Sequence, residues 1–206
     1  MTEFAKAYLQ ANSELANPLP DWAQNIATLI DFYQTMVLIR SVDKKAVALQ
    51  RTGQLGTYPS VLGQEAIGIA INHALASDDV FVPYYRDVAA QYLRGMPLLG
   101  LFQYWGGDER GSSHNPQQDL PNCVPVATQL CHAAGIAAAI KIREQKKVVL
   151  VTCGDGATSK GDFLEAINVA GAWRLPLVVL INNNQWAISV PRSMQCAAPN
   201  LSDKAL

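Results

Sequence analysis

The 206-residue chain lacks an excess of charge of either sign, with 16 Lys and Arg against 17 Asp and Glu and a formal net charge of −1. It contains no run of basic residues, and a nucleic-acid backbone is held by a concentrated positive footprint, so nucleic acid is not an expected partner. Long apolar runs are missing too. The longest, Val148–Cys153 and Leu177–Ile181, have the length of strands and not the roughly 20 residues that span a bilayer, so no membrane segment is expected. The opening MTEFAKAYLQANSELANPLP has no apolar stretch of the secretory kind, and Glu3 and Glu14 run against the acid-poor pattern of a transit peptide, which leaves the cytoplasm as the expected location. Four cysteines (Cys123, Cys131, Cys153, Cys196) are irregularly spaced without a CxxC, so neither a disulfide framework nor a zinc site is expected. Internal repeats and low-complexity tracts are absent. What remains is a chain that is half apolar and long enough to bury a core of its own as one domain, which excludes disorder as its main state.

The Pro-punctuated segment 1–21 reads as a lead-in and residues 22–206 as one α/β domain. Asp21 is a candidate N-cap for a long amphipathic helix from Trp22 to about Gln50, with Ile26, Ile30, Tyr33 and Val37 at helical spacing. Gly53 and Gly56 end it, and GQEAIGIAINHALA (Gly63–Ala76) is a small-residue helix suited to close packing. Val80–Val82 reads as a short buried strand running into the polar cluster Tyr84-Tyr85-Arg86-Asp87, and Val88–Arg94 resumes helical spacing. Residues 106–121, GGDERGSSHNPQQDLP, sustain neither period and read as a loop. Beyond it come an Ala/Ile helix (Gln129–Glu144), a buried strand (Lys147–Cys153), a helix (Asp162–Trp173) and a second buried strand (Leu177–Ile181). Strand, helix and strand within about 35 residues form a crossover unit, which implies a parallel sheet flanked by helices.

In open α/β sheets ligands bind at the carboxyl ends of the strands. Both late strands end in polar groups there: Gly154-Asp155-Gly156 after the first and Asn182-Asn183-Asn184 after the second. Each alone is a common turn or capped loop. Together they are 29 residues apart, Asp155 to Asn184, the distance that one helix and a return strand need to bring both to one rim. A carboxylate and an amide oxygen suit a hard cation such as Mg²⁺ or Ca²⁺, which also takes phosphate oxygens and water. The helix near Asp162 starts slightly downstream, so its dipole assists an anion only at a distance. Ser159-Lys160 is not a Walker A loop, because no Gly-Lys-Ser/Thr follows a Gly at the required spacing. His73 and His132 fall on helices and read as packed or surface residues.

The segment GDGATSKGDFLEAINVAGAWRLPLVVLINNNQWAIS resembles the GDG…NN motif of the thiamine-diphosphate-dependent E1 component of 2-oxo acid dehydrogenases, in its α-subunit form and most closely the pyruvate dehydrogenase branch. TYPSVLGQEAIGIA, VFVPYYRDVAAQYLRG and VPVATQLCHAAGIAAA resemble further segments of the same family, so that the similarity runs from about Ile26 to Leu206. The resemblance implies a thiamine-diphosphate-binding fold. It places Asp155, Asn184 and the Trp186 carbonyl on Mg²⁺, Tyr85 and Arg86 on the diphosphate with the Gly156 and Ala157 backbone, and the main chain of Val124 and Val126 against the aminopyrimidine. A guanidinium suits the bidentate phosphate contact given to Arg86. His114 corresponds to a loop near the substrate approach, and Pro59 stands where some members have a histidine.

By the same resemblance the activating glutamate lies on the E1 β subunit, so no catalytic acid is expected on this chain, and an α2β2 heterotetramer with the lipoyl domain of E2 as acyl acceptor is implied. The expected reaction is oxidative decarboxylation of pyruvate. A branched-chain 2-oxo acid or acetoin dehydrogenase α subunit shares all these motifs, and a non-catalytic remnant that binds only partner or cofactor remains an alternative. NLSDKAL matches the opening of the helix after the Asn motif, so the fold is expected to be incomplete at the C-terminus and the chain alone to be weakly active.

Overall fold

The computed structural model describes Tyr8, Leu15 and residues 17–114 and 118–205. Most of the lead-in 1–21, the middle of the segment 106–121 and Leu206 lie outside the described residues. Three strands, β1 (Val80–Val82), β2 (Val149–Gly154) and β3 (Leu177–Asn182), form a parallel sheet in the order β1-β2-β3. The register pairs Val82 with Val151 on one side of the central strand and Gly154 with Asn182 on the other. Because successive side chains of a strand point to opposite faces, β2 divides its apolar residues between two layers. Val149, Val151 and Cys153 join Leu130, Ala133 and Ala137 of α5 (Thr128–Ile142) and Phe163 and Ala166 of α6 (Gly161–Ala172). Leu150 and Phe81 turn to the other face, against Ile71 of α2 (Glu65–Ala74) and Ala90 of α3 (Val88–Leu93). The long α1 (Ile26–Arg51) forms an outer layer against α2 and α3 through Ile39, Ile69, Val88 and Ala89.

Small residues set the layer spacing. A Cβ at Gly68 would sit 2.6 Å from the Ala90 backbone nitrogen and 2.7 Å from the Ala89 Cβ, so α2 meets α3 at a glycine. The segment expected as a loop is partly helical for the same reason. Gly111 lies where a Cβ would be 2.4 Å from the Tyr104 backbone nitrogen, and this contact draws residues Glu109–His114 into a 3₁₀ turn against α4 (Leu98–Trp105), a helix the sequence reading does not assign.

Three further expectations are corrected. Asp21 starts only a 3₁₀ turn (Asp21–Gln24), and the cap of α1 is Asn25, whose side chain accepts the Ala27 N–H at 3.0 Å. The stripe Ile26, Ile30, Tyr33 and Val37 faces outward, because the buried line of α1 is Thr35, Ile39, Asp43 and Ala46. β3 is not fully buried: it has one strand neighbour among the described residues, and Val178 is 49% exposed. No helix among the described residues is long and apolar enough to cross a membrane.

The carboxyl ends of β1 and β2 are tied by Asp87. Its Oδ2 accepts the Tyr84 N–H at 2.9 Å and the Thr152 hydroxyl, while the Thr152 Oγ1 accepts the Tyr84 N–H at 3.0 Å. Burial pushes the Asp87 carboxyl up from 3.8 to about 7, against hydrogen bonds from Thr152 and Tyr84 that favour its ionised form.

Two outcomes follow from this packing. Gly68→Ala is expected to lower stability by about 1–3 kcal/mol through overpacking, read as a reduced urea midpoint at unchanged slope. For Asp87, the unfolded chain releases its proton near pH 4 and the folded chain near 7, so wild-type stability falls across that interval and levels off above it. Asp87→Asn cannot ionise; the stability difference between wild type and variant should therefore shrink or reverse from pH 4 to 7, and a difference independent of pH would contradict the burial argument.

Candidate functional site

Because the three strands are parallel, their polar ends meet at one rim. β1 runs through Pro83 into Tyr84, Tyr85 and Arg86, β2 ends in Gly154 and continues as a 3₁₀ turn Asp155–Ser159, and β3 ends at Asn182. A cavity of about 340 Å³ opens there, and Tyr85, Arg86, Val126, Asp155, Gly156, Ala157, Asn184 and Trp186 all line it. Val124 is the exception among the residues expected at the site: it does not line the cavity and is 46% exposed.

Asp155 is 3% exposed, and its Oδ2 is buried without a hydrogen-bond partner among the described residues. A buried carboxylate oxygen left unpaired is costly unless a cation or donor is supplied from outside the chain. The Asn184 side-chain oxygen accepts the Trp186 N–H at 3.0 Å and keeps a second lone pair. This turn leads into a hairpin, β4 (Trp186–Ala187) with β5 (Val190–Pro191), which lies over the 3₁₀ turn. There a Cβ on Gly156 would come within 2.6 Å of the Ala187 Cβ, so glycine is required by the hairpin's close approach. Gly154 is different: it lines the cavity, has ordinary extended backbone (φ −80°, ψ 163°), and a Cβ built on it meets nothing within 4 Å. A side chain at Gly154 would fill cavity space.

Arg86 is a second charged residue on the cavity wall. Its Nε donates to the Ser60 carbonyl at 3.0 Å, its Nη1 donates to the Tyr85 hydroxyl at 3.1 Å, and its guanidinium carbon lies 4.8 Å from the Tyr85 ring centroid. Among the described residues no carboxylate forms an ion pair with it, so its charge is available to an anion. The cavity thus sets a lone buried carboxylate oxygen and an amide against a guanidinium, an arrangement for a cation that carries an anion with it. Among the described residues no cluster of three His, Cys, Asp or Glu could hold a metal, so a cation here would rest on one carboxylate, amide and carbonyl oxygens, and its own ligand.

The structure adds residues that sequence reasoning missed. Asn182 donates through Nδ2 to the Gln64 side-chain oxygen and to the Tyr84 hydroxyl, and the Tyr84 hydroxyl also donates to Gln64 Oε1 at 3.3 Å, which locks the ends of β1 and β3 to the start of α2. Gln129, at the start of α5, donates to the Thr152 carbonyl at 2.8 Å, and its Oε1 is buried without a partner. A lone amide in the first turn of an otherwise Ala/Ile helix was the available signal. Ionisable nucleophiles are lacking at the rim: burial raises the Cys123 thiol and pushes Cys153 up to about 12, and no histidine lines the cavity. His73 packs against Phe32 and Trp22 at ring centroid distances of 5.2 and 5.6 Å, His132 is exposed, and His114 packs against Gly100.

The profile of the family described as Dehydrogenase E1 component matches residues 33–206. The pyruvate dehydrogenase E1 component subunit alpha of Acholeplasma laidlawii is 40% identical over 181 residues, covering 87% of this chain and 52% of that protein. The protein of the same name from Staphylococcus aureus is 38% identical over 179 residues, covering 86% of this chain and 48% of its own length. The chain spans about half the length of the curated relatives it matches. A solved Mycobacterium smegmatis structure described as a thiamin diphosphate-dependent enzyme aligns with a TM-score of 0.46 at 20% identity, covering 69% of this chain and 24% of that one. Matched by the family profile from Tyr33 to its last residue, and carrying the GDG and Asn segments on adjacent parallel strands, the chain belongs to the dehydrogenase E1 component family.

Proposed function

We propose that this chain is the cofactor-binding part of an E1 α subunit that works with a β subunit in the oxidative decarboxylation of pyruvate and acyl transfer to the lipoyl domain of E2. The observation that carries the reading is the buried, unpartnered Asp155 Oδ2 on the wall of the cavity that Asn184 and Arg86 share. The donors fit Mg²⁺: the Asp155 carboxylate, the Asn184 amide oxygen and the Trp186 carbonyl are hard oxygen ligands, too few to complete an octahedron without the oxygens of a diphosphate and water. Tyr85 and Arg86 would hold that diphosphate, with the Gly156 and Ala157 N–H groups at the start of the 3₁₀ turn. The Val126 main chain would meet the aminopyrimidine, a contact not given to Val124, which lies off the cavity wall.

Thiamine diphosphate supplies the electron sink that decarboxylation of a 2-oxo acid needs. The chain's own part is binding and placement. Asp155 and Arg86 would fix the charged end through its cation and its diphosphate, and the buried Tyr84, Ala127 and Ala157 contribute apolar wall to the same cavity. Asp87, whose carboxyl burial pushes up to about 7, is buried and does not line the cavity, and we assign the acid that the reaction needs to the β subunit. That subunit would cover the exposed apolar rim of Val126, Trp186 and Ile188 in an α2β2 assembly. A cytoplasmic location is part of the same proposal.

Calorimetric titration with thiamine diphosphate, with and without Mg²⁺, is expected to show metal-dependent binding. Asp155→Ala should weaken it by about tenfold or more and remove its dependence on Mg²⁺; unchanged affinity would refute the assignment. Gly154→Val should also block binding, at an unaltered unfolding midpoint, because its side chain enters open cavity and not packed protein. Pyruvate decarboxylation by the chain mixed with its β subunit, compared with branched-chain 2-oxo acids and acetoin, tests the substrate.

A further inference from the structure

We infer that Asp43, in the outer helix α1, is a positioning residue for Arg86, acting through the loop Tyr58–Val61. The inference rests on the reading of Arg86 as the diphosphate-binding group. Asp43 is 3% exposed on the buried line of α1, between Ile39 and Ala46, where an unpaired carboxylate would be strongly disfavoured. Three donors from one short loop satisfy it. The Tyr58 hydroxyl and the Val61 N–H donate to Oδ1 at 3.1 and 2.8 Å, and the Ser60 hydroxyl donates to Oδ2 at 2.8 Å. The carbonyl of that same Ser60 accepts the Arg86 Nε–H at 3.0 Å.

An unbroken chain of hydrogen bonds therefore runs from α1 to the cavity. Its last link holds the guanidinium by Nε, the atom nearest the aliphatic stem, and so sets the direction of the terminal nitrogens. Nη1 is then steadied by the Tyr85 hydroxyl. The loop is held from behind as well: Tyr58 packs edge-on to Trp105 at 5.8 Å, and burial together with the Asp43 charge raises its hydroxyl pKa, so that it remains a donor. No residue of α1 lines the cavity itself, and this loop is the hydrogen-bonded link from the outer layer to Arg86. An apolar residue would fill the same helix position without gathering Ser60 and Val61. A carboxylate with two acceptor atoms does what packing alone does not: it fixes where the Ser60 carbonyl points. Holding the guanidinium in advance leaves less side-chain freedom to be lost when a diphosphate binds.

The test is titration of the full chain with inorganic diphosphate and with thiamine diphosphate, each in Mg²⁺, alongside unfolding midpoints. Asp43→Ala is expected to weaken both ligands about tenfold, Asp43→Asn, whose amide oxygen still accepts from Val61 and Tyr58, to restore affinity to within about threefold, and Ser60→Ala to give an intermediate loss. Each variant is repeated with Arg86→Lys, which keeps the charge but lacks the Nε–H. There Asp43→Ala should add no further loss, since its effect passes through that bond. Wild-type affinity in a folded Asp43→Ala, or an equal loss with and without Arg86→Lys, overturns the inference. If Asp43→Ala does not fold, Ser60→Ala decides: undiminished affinity overturns it, and a loss that vanishes with Arg86→Lys supports it. Should wild type bind neither ligand, the reading of Arg86 falls and this inference with it; should Arg86→Lys weaken binding while the Asp43 and Ser60 variants do not, only this inference falls.

Discussion

The in-register pairing of β2 with β3, from Val149 with Leu177 to Gly154 with Asn182, decides where every polar group of the site can be. Parallel strands bring their carboxyl ends to the same edge, and a shift of one residue would turn alternate side chains to the other face and carry Asp155 away from the Asn segment. The helices serve this alignment. α5 and α6 hold one face of β2, α2 and α3 hold the other, and the Gln64–Tyr84–Asn182 bonds tie the ends of β1 and β3, on either side of β2, to the start of α2.

Three buried aspartates show how one side chain serves three purposes. Asp43 is met by three donors and organises a loop. Asp87 is met by two and, in deep burial, holds its proton up to about pH 7 while it ties two strand ends together. Asp155 has one oxygen without a hydrogen-bond partner among the described residues. A buried carboxylate needs donors or a cation, and what differs is where they come from. For Asp43 and Asp87 the donors lie in the chain and their surroundings read as architecture, whereas the open oxygen of Asp155 belongs to a residue of the cavity wall, in keeping with the binding site proposed there.

Much of this was legible in the sequence. Strong apolar runs and the distance from Asp155 to Asn184 announced the parallel crossover, and GDG and Tyr85-Arg86 named both charged residues of the cavity wall. The outward stripe of α1 was misjudged because periodicity shows that a helix has an apolar line but not which line meets the core; Thr35 and Asp43, polar in the sequence, lie inside, and Ile30 and Tyr33 outside. The turn Glu109–His114 was hidden because its cause is a contact between Gly111 and α4, remote from any local propensity. The partners of Gln64, Gln129 and Asn182 were not legible, since an amide carries no charge and gains its meaning from groups far along the chain.

The sheet also has an unfinished side. β3 gives its main-chain hydrogen bonds to β2 in one direction, and among the described residues no strand takes up the other. Beside it Leu177, Val179 and Ile181 open on a groove of about 660 Å³ reaching to Leu201. Such a seam of unpaired main-chain groups is a template for the addition of a further strand.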